Sequence, residues 1–424
     1  MYDIQILEEL AAHRSPPMDF NLTDEQQMLR DGVRRFAMER YSFESRKRLL
    51  ATAERFSEQN WATYAELGWL ALALPEEVGG LDCSFVETSI VMQELGRVLA
   101  LEPYATSAVL GAHIIGAAAT NSQRPELLAQ LGNGALRLAL AHTEPDARYE
   151  LSAVRTTTVQ ATGDGYEGYV LSGVKTLVFD APSAHQLIVS AAFEDRRSRA
   201  EEERSGPDHR RSGSEARTFG LFLVPKDASG VTLTAYPLID GTRAADVELK
   251  AVRLPKPALL VEPQRALDVL EEAIDRTVLA QVAEALGAME SVLDITNGYI
   301  KQRVQFGQPI GKFQALQHRM AEMFVEVQET RSILYRGMAL LDAAPAERKR
   351  AVSAAKVVAC NAGRFVGAQG IQLHGGIGMT EEHSIGHYYK KLVAFEKRYG
   401  DTEFHVSRYL GEGRREAGMQ HAAQ

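Results

Sequence analysis

Hydrophobic positions change their period twice along the chain. After Pro16-Pro17, apolar Leu29, Val33, Phe36 and Ala37 recur three and four residues apart, the spacing of one helix face. Thr23, followed three residues on by Gln26, reads as a capping box in front of that face. Helical spacing continues through "QNWATYAELGWLALAL", "VETSIVMQELGRVLA" and "LLAQLG", so residues 18–135 are predicted to form a helical domain. Pro75 and the Gly79-Gly80 pair mark a loop inside it.

From about residue 136 the period falls to two. "AVRTTTVQA", "GYVLSGVKTLVF", "HQLIVSAAF", "FGLFLVP", "VTLTAY" and "ADVELKAVRL" are short, rich in Val, Thr and Leu, and separated by Gly, Pro or Asp turns. Strands at this spacing, with no helices between them, predict an antiparallel barrel or sandwich over 136–260. Residues 194–217 interrupt the pattern with seven acidic and seven basic residues, as expected of a solvated, mobile excursion between two strands. The helical period returns at 263, where one long helix carries Pro263 in its first turn. Two more long helical stretches follow, which predicts an antiparallel bundle over 261–424.

Composition changes this picture little. The 424 residues are 45% hydrophobic and 24% charged, ordinary for two or three folded domains. A net charge of −9 gives no expectation of nucleic acid and argues against an anionic membrane surface. No apolar run nears the ~20 residues of a bilayer span. The acidic start of the chain does not read as a secretory signal. Cys83 and Cys360 lie far apart without His or Cys at ligand spacing, which favours free thiols and fits a reducing, cytoplasmic location.

Three stretches look chemical. Arg303 is predicted at the end of the long helix, before a Gly- and Pro-punctuated loop, with Gln314 opening the next helix. A guanidinium held there suits bidentate recognition of phosphate, and equally suits a surface charge at a helix C-terminus. In "QLHGGIGMTEEH", Gly375, Gly376 and Gly378 let main chain approach a ligand closely, and Thr380 is expected to cap a new helix. That run follows no predicted strand, so it is not a Rossmann fingerprint. In "RYGDTEFH", Asp401 beside Gly400 is either a reactive carboxylate or the cap of the last helix. His383, His387 and His405 read as surface or capping residues, with no metal cluster expected.

Taken in order, "RVQFGQPIGKFQALQH" followed about sixty residues later by "QLHGGIG" resembles the acyl-CoA dehydrogenase family of flavoproteins. "MDFNLTDEQQMLRDGVRRF" is similar to that family's opening, and "LALAHTEP" to the start of its middle-domain flavin motif. The likeness spans nearly all of the chain from Met18. "YSFESRKRL", "YAELGWLALALPEEVGG" and "GRVLALEPY" are most similar to small subunits of heteromeric members such as pimeloyl-CoA dehydrogenase.

The resemblance implies an α+β multidomain fold: an N-terminal helical domain, a middle antiparallel β-barrel and a C-terminal four-helix bundle. It implies FAD bound between subunits and oxidation of an acyl-CoA to the trans-2-enoyl-CoA, with electrons passed to electron-transfer flavoprotein. A carboxylate would take the α-proton while a hydride leaves the β-carbon for the flavin. By position, Arg303 and Gln314 would hold the FAD diphosphate region. Gln372, Gly375 and Gly376 would meet the diphosphate of FAD bound mainly by a neighbouring subunit, and Leu140, His142 and Thr143 would face the isoalloxazine ring.

The chain departs from the family at three places. "DARYE", Asp146–Glu150, replaces a small Gly- and Ser-rich turn, and "LVF", Leu177–Phe179, replaces the flavin-stacking Trp-Ile-Thr/Ser. At "YGDT", Tyr399–Thr402, the slot of the family's glutamate base falls on Gly400, with Asp401 one step on. Other members carry the base on the first bundle helix, where this chain has Asp275. Two expectations follow: a catalytic subunit with Asp275, or less readily Asp401, as base, or a non-catalytic partner of a larger homologous subunit that supplies it. In either case the protein works as a homo- or hetero-oligomer.

Overall fold

The computed structural model describes residues 21–118, 122–163, 166–194 and 218–422. The charged run at 195–217 and the first 17 residues lie outside the described residues. Helix α1 (Asp24–Arg40) starts where the capping box predicts: Thr23 Oγ1 accepts from the Gln26 amide at 3.2 Å, and Gln26 Oε1 accepts from the Thr23 amide at 3.0 Å. Helices α2 (Phe43–Leu50), α3 (Glu58–Glu66) and α4 (Phe85–Arg97) follow. A π-helical stretch (Ala105–Gly111) runs into α5 (Ala112–Ala117), and α6 (Arg124–Gly132) ends the helical region.

The middle sheet contains β1 (Leu138–Ala141), β2 (Thr157–Gly163), β3 (Tyr166–Phe179), β4 (Gln186–Phe193), β5 (Phe219–Pro225), β6 (Val231–Pro237), β7 (Arg243–Pro255) and β8 (Leu259–Val261). Its order is β6-β7-β3-β2-β4-β5-β8, with β1 beside β4. Most neighbours are antiparallel as predicted, but β4 runs parallel to both β1 and β2. Sequence period does not reveal this. β1 is buried at every position and therefore shows no alternation, and β8 is only three residues long.

The 40-residue α7 (Pro263–Gln302) spans about 60 Å at the usual helical rise. A short hairpin, β9 (Val304–Gln305) and β10 (Gln308–Pro309), leads to α8 (Gln314–Ala339). Helices α9 (Pro345–His374), α10 (Ser384–Lys397) and α11 (Thr402–Ala422) complete the C-terminal region. Thr380 does not cap α10, contrary to expectation. Residues 375–379 form a 3-10 turn that delays the helix, and His383 becomes the cap, its Nδ1 accepting from the Ile385 amide at 3.2 Å.

One hydrophobic core joins the N-terminal helices to the bundle, and a second lies within the sheet. The first core requires α4 and α7 to touch along their backbones. A Cβ on Gly96 would lie 2.0 Å from Glu284 O, and one on Gly287 1.8 Å from Gln93 O. This crossing fixes the junction at which helical domain, sheet and bundle meet.

Candidate functional site

Two places bring the sequence-predicted residues together. The first is one end of the bundle. Arg303 caps α7 through its amide, which donates to Tyr299 O at 2.8 Å, while its carbonyl accepts from the Ile310 amide at 2.8 Å across the hairpin. Its side chain is exposed, and no carboxylate among the described residues pairs with it. Gln314, also exposed, begins α8, whose preceding Phe313 offers no side-chain cap; the Leu316 amide turns back to Phe313 O at 2.9 Å, and among the described residues the Gln314 and Ala315 amides stay open.

Tyr299, one turn before Arg303, joins this corner to the glycine run. Its ring stacks on His374 at 4.4 Å, and its hydroxyl donates to His374 O at 3.3 Å. Gly375 follows at φ 64°, ψ −141°, a conformation that essentially only glycine adopts. Cβ atoms at Gly375 and Gly376 would meet nothing within 4 Å, and both residues are exposed with Gln372. An unpaired guanidinium, open helix amides and bare main chain make a donor set that fits an anionic diphosphate. Phe306 belongs to the same surface and was missed from sequence. It stands 91% exposed at φ 52° on the hairpin tip, and the signal was an aromatic beside a turn glycine with no core to join.

The second place is the middle domain. Leu140 lies buried in β1, and the half-buried Thr143 accepts from the Thr176 amide through its carbonyl at 2.8 Å. His142 follows β1 directly. Its imidazole is buried, with Nδ1 2.9 Å from Ser190 Oγ, and its carbonyl accepts from Lys175 Nζ at 3.4 Å. Burial and then the Lys175 ammonium push this imidazole down to about 3. Lys175 itself is fully buried and donates to Glu144 at 2.6 Å and Ser190 Oγ at 2.9 Å. Burial drives it down to about 8 against the pull of Glu144. Burial also opposes the Glu144 charge, but Lys175 outweighs it and holds the carboxyl below its ordinary range. This buried pair ties Glu144 of the "HTEP" stretch to Lys175 of β3.

Neither expected base is free. Asp275 is fully buried inside the bundle, with Oδ2 accepting from Arg348 Nε at 3.1 Å and Oδ1 from Arg408 Nη1 at 2.7 Å. It lies about 120° around α7 from Gln281, which faces the three-domain junction (six residues at about 100° each). Position and pairing make Asp275 a clamp on α9 and α11. Asp401 Oδ1 accepts from the Phe404 amide at 3.0 Å, and its carbonyl from His405 N at 3.0 Å, so it caps α11. The glutamate slot is closed as well as empty. Gly400 has φ 115°, and a Cβ there would lie 2.5 Å from both His405 Nε2 and Phe404 Cδ1.

Three family models match in sequence order: the acyl-CoA dehydrogenase N-terminal domain over residues 23–135, the middle domain over 139–252 and the C-terminal domain over 267–409. The chain is 28% identical to the probable acyl-CoA dehydrogenase YngJ of Bacillus subtilis, over 91% of this chain and 97% of that protein. It is similar to a chain of the ChsE4-ChsE5 complex from Mycobacterium tuberculosis at TM-score 0.78 and 26% identity, covering 94% of this chain and 99% of that one. A chain from the electron transferring flavoprotein structure of Acidaminococcus fermentans matches at TM-score 0.81 and 26% identity, covering 93% and 98%. Among the described residues, no helix is long and apolar enough to cross a membrane. Arranged in this order and at this coverage, the three domains make the chain a member of the acyl-CoA dehydrogenase family, FAD-dependent oxidoreductases that act on acyl-CoA.

Proposed function

We propose that the chain is the base-lacking subunit of a heteromeric acyl-CoA dehydrogenase. It pairs with a larger homologous subunit that carries the glutamate, and it contributes the bundle end that grips the FAD diphosphate. The carrying observation is that Asp275 and Asp401 are committed to Arg348, Arg408 and a helix cap, while Gly400 leaves no space for a carboxylate. Carboxylates lining the junction are engaged too: Glu102 with Tyr41 and Tyr64, Asp180 with Thr106 at 2.8 Å, and Glu284 with Lys391 at 2.8 Å.

Bound FAD supplies the hydride acceptor for α,β-dehydrogenation of the acyl-CoA. In this chain Arg303 would neutralise diphosphate charge, Gln314 and Gln372 would donate from their amides, and Gly375-Gly376 would present bare main chain. Electrons would leave to electron-transfer flavoprotein, and a cytoplasmic setting accords with two free cysteines. The likeness to small subunits of heteromeric members and to a chain of the ChsE4-ChsE5 complex supports this reading. Expression alone and beside the neighbouring homologous subunit tests it. The chain alone should be colourless and without enoyl-CoA formation, and the co-purified pair yellow and active. A yellow, active oligomer of this chain by itself would sink the proposal.

A further inference from the structure

Three rings form a column at the bundle end, and each belongs to a different helix end. Tyr299 stands in the last turn of α7, His374 is the last residue of α9, and His383 caps α10. The Tyr299 and His374 rings stack at 4.4 Å with 27° between their planes, and the His374 and His383 rings lie 4.7 Å apart. The first two members adjoin the anion grip. The Tyr299 carbonyl accepts from the Arg303 amide at 2.8 Å, and His374 is bonded directly to Gly375. The glycine run also folds back over the middle ring. A Cβ on Gly378 would lie 3.1 Å from His374 Cβ and 2.8 Å from Ile371 O, whereas Gly375 and Gly376 face open space. Two of these glycines therefore present bare main chain, and the third lets the turn close on His374.

His374 is not built to meet charge itself. Its Nδ1 lies 2.7 Å from Gly370 O, a pairing in which the nitrogen donates, and its Nε2 is buried with no hydrogen-bond partner among the described residues. Burial holds the imidazole below its ordinary range, against the pull of the Gly370 carbonyl. A neutral ring, 3% exposed and with one nitrogen idle, contributes shape and not charge. Across this ring the end of α7, which leads into Arg303, meets the main chain at Gly375. A guanidinium and bare main chain can share one diphosphate at little cost only if their separation is held before the ligand arrives.

We propose that His374 is a positioning residue: its ring, held between Tyr299 and His383, keeps Gly375-Gly376 aligned with Arg303 for one diphosphate. The proposal rests on the reading of the bundle end as the FAD diphosphate grip. The test strips FAD from the co-purified heteromer and follows its rebinding by quenching of flavin fluorescence. His374→Ala should weaken FAD binding roughly tenfold. In the Arg303→Gln background the same change should cost less than about threefold, because the contact that depends on alignment is already gone. His374→Phe restores a flat ring to the column without the Nδ1 donor, and should recover affinity to within about threefold of the unaltered protein. Should His374→Ala fail to assemble, Tyr299→Leu breaks the same stack from α7 and carries the same two expectations. Unchanged FAD affinity in the ring-deleting variant, a full loss still present beside Arg303→Gln, or no recovery with Phe would each overturn the positioning role. Normal FAD binding by Arg303→Gln alone would instead bring down the grip reading, and this inference with it.

Discussion

The bundle end and the three-domain junction use the same residue types to opposite ends. At the bundle end Arg303 is exposed and unmatched, glycine main chain is bare, and helix amides stay open. At the junction Arg398 is buried and matched twice over, and Gly400 is crowded by His405 and Phe404. A ligand site keeps donors unsatisfied in the free protein, because its partner arrives later. A structural junction satisfies them internally, because an unmatched buried charge is costly. An arginine therefore reads as ligand-binding or structural by what it lacks.

The sharpest way to break this comparison is Asp275→Asn in the heteromer. Removing the charge strands Arg348 and Arg408 in the bundle, and stability should fall by about 3–5 kcal/mol in a denaturant titration. Turnover per assembled heteromer should stay within about twofold, whereas loss of a working base would lower it by orders of magnitude.

A smaller effect is expected on the open side. Arg303→Gln removes a charge-assisted contact of about 1.5–3 kcal/mol, so FAD should bind about ten- to a hundredfold more weakly. The unfolding free energy without FAD should change by no more than about 0.5 kcal/mol. A large loss of stability instead would show Arg303 to be structural, like Arg398.

The junction side is probed through the slope of stability with pH. His405 packs under the turn with Nε2 3.1 Å from Tyr399 O and Nδ1 3.2 Å from Ser353 Oγ. Burial, then Lys356 and Arg408, push its imidazole down to about 3. An unfolded imidazole takes its proton near the ordinary value of about 6.5. Between those values the unfolded chain binds more protons, so stability falls as pH drops from 6.5 toward 3. His405→Asn should flatten that slope by about 1.4 kcal/mol per pH unit in urea titrations. An unchanged slope would mean that the turn opens in acid.

Local features were legible in advance. Thr23 and Gln26 face each other across one turn, and their capping box needs nothing from elsewhere in the chain. The positions of Arg303, Gln314 and the glycine run at helix ends were readable because a helix end and a bare backbone are written within a few residues. Features with distant partners were hidden. Asp275 looked like a candidate base until Arg408, 133 residues away, was seen to hold it. The pairing of His142 Nδ1 with Ser190 Oγ, 48 residues away, was equally hidden. Thr380 lost its capping role because a 3-10 turn, invisible in residue spacing, moved the helix start to His383.

Periodicity, caps and turn glycines thus determined by themselves the succession of helices, sheet and bundle, since each depends on interactions spanning about one turn or one strand. The family resemblance also pointed to Arg303, Gln314, Gln372, Gly375 and Gly376 as the residues proposed to grip a diphosphate. Only the tertiary structure decided that "DARYE", "LVF" and "RYGDT" converge, and that Arg398 meets Asp240 across the domain boundary. The physical reason is that whether a polar side chain is free or matched depends on which distant group shares its burial, and sequence spacing carries no record of that pairing.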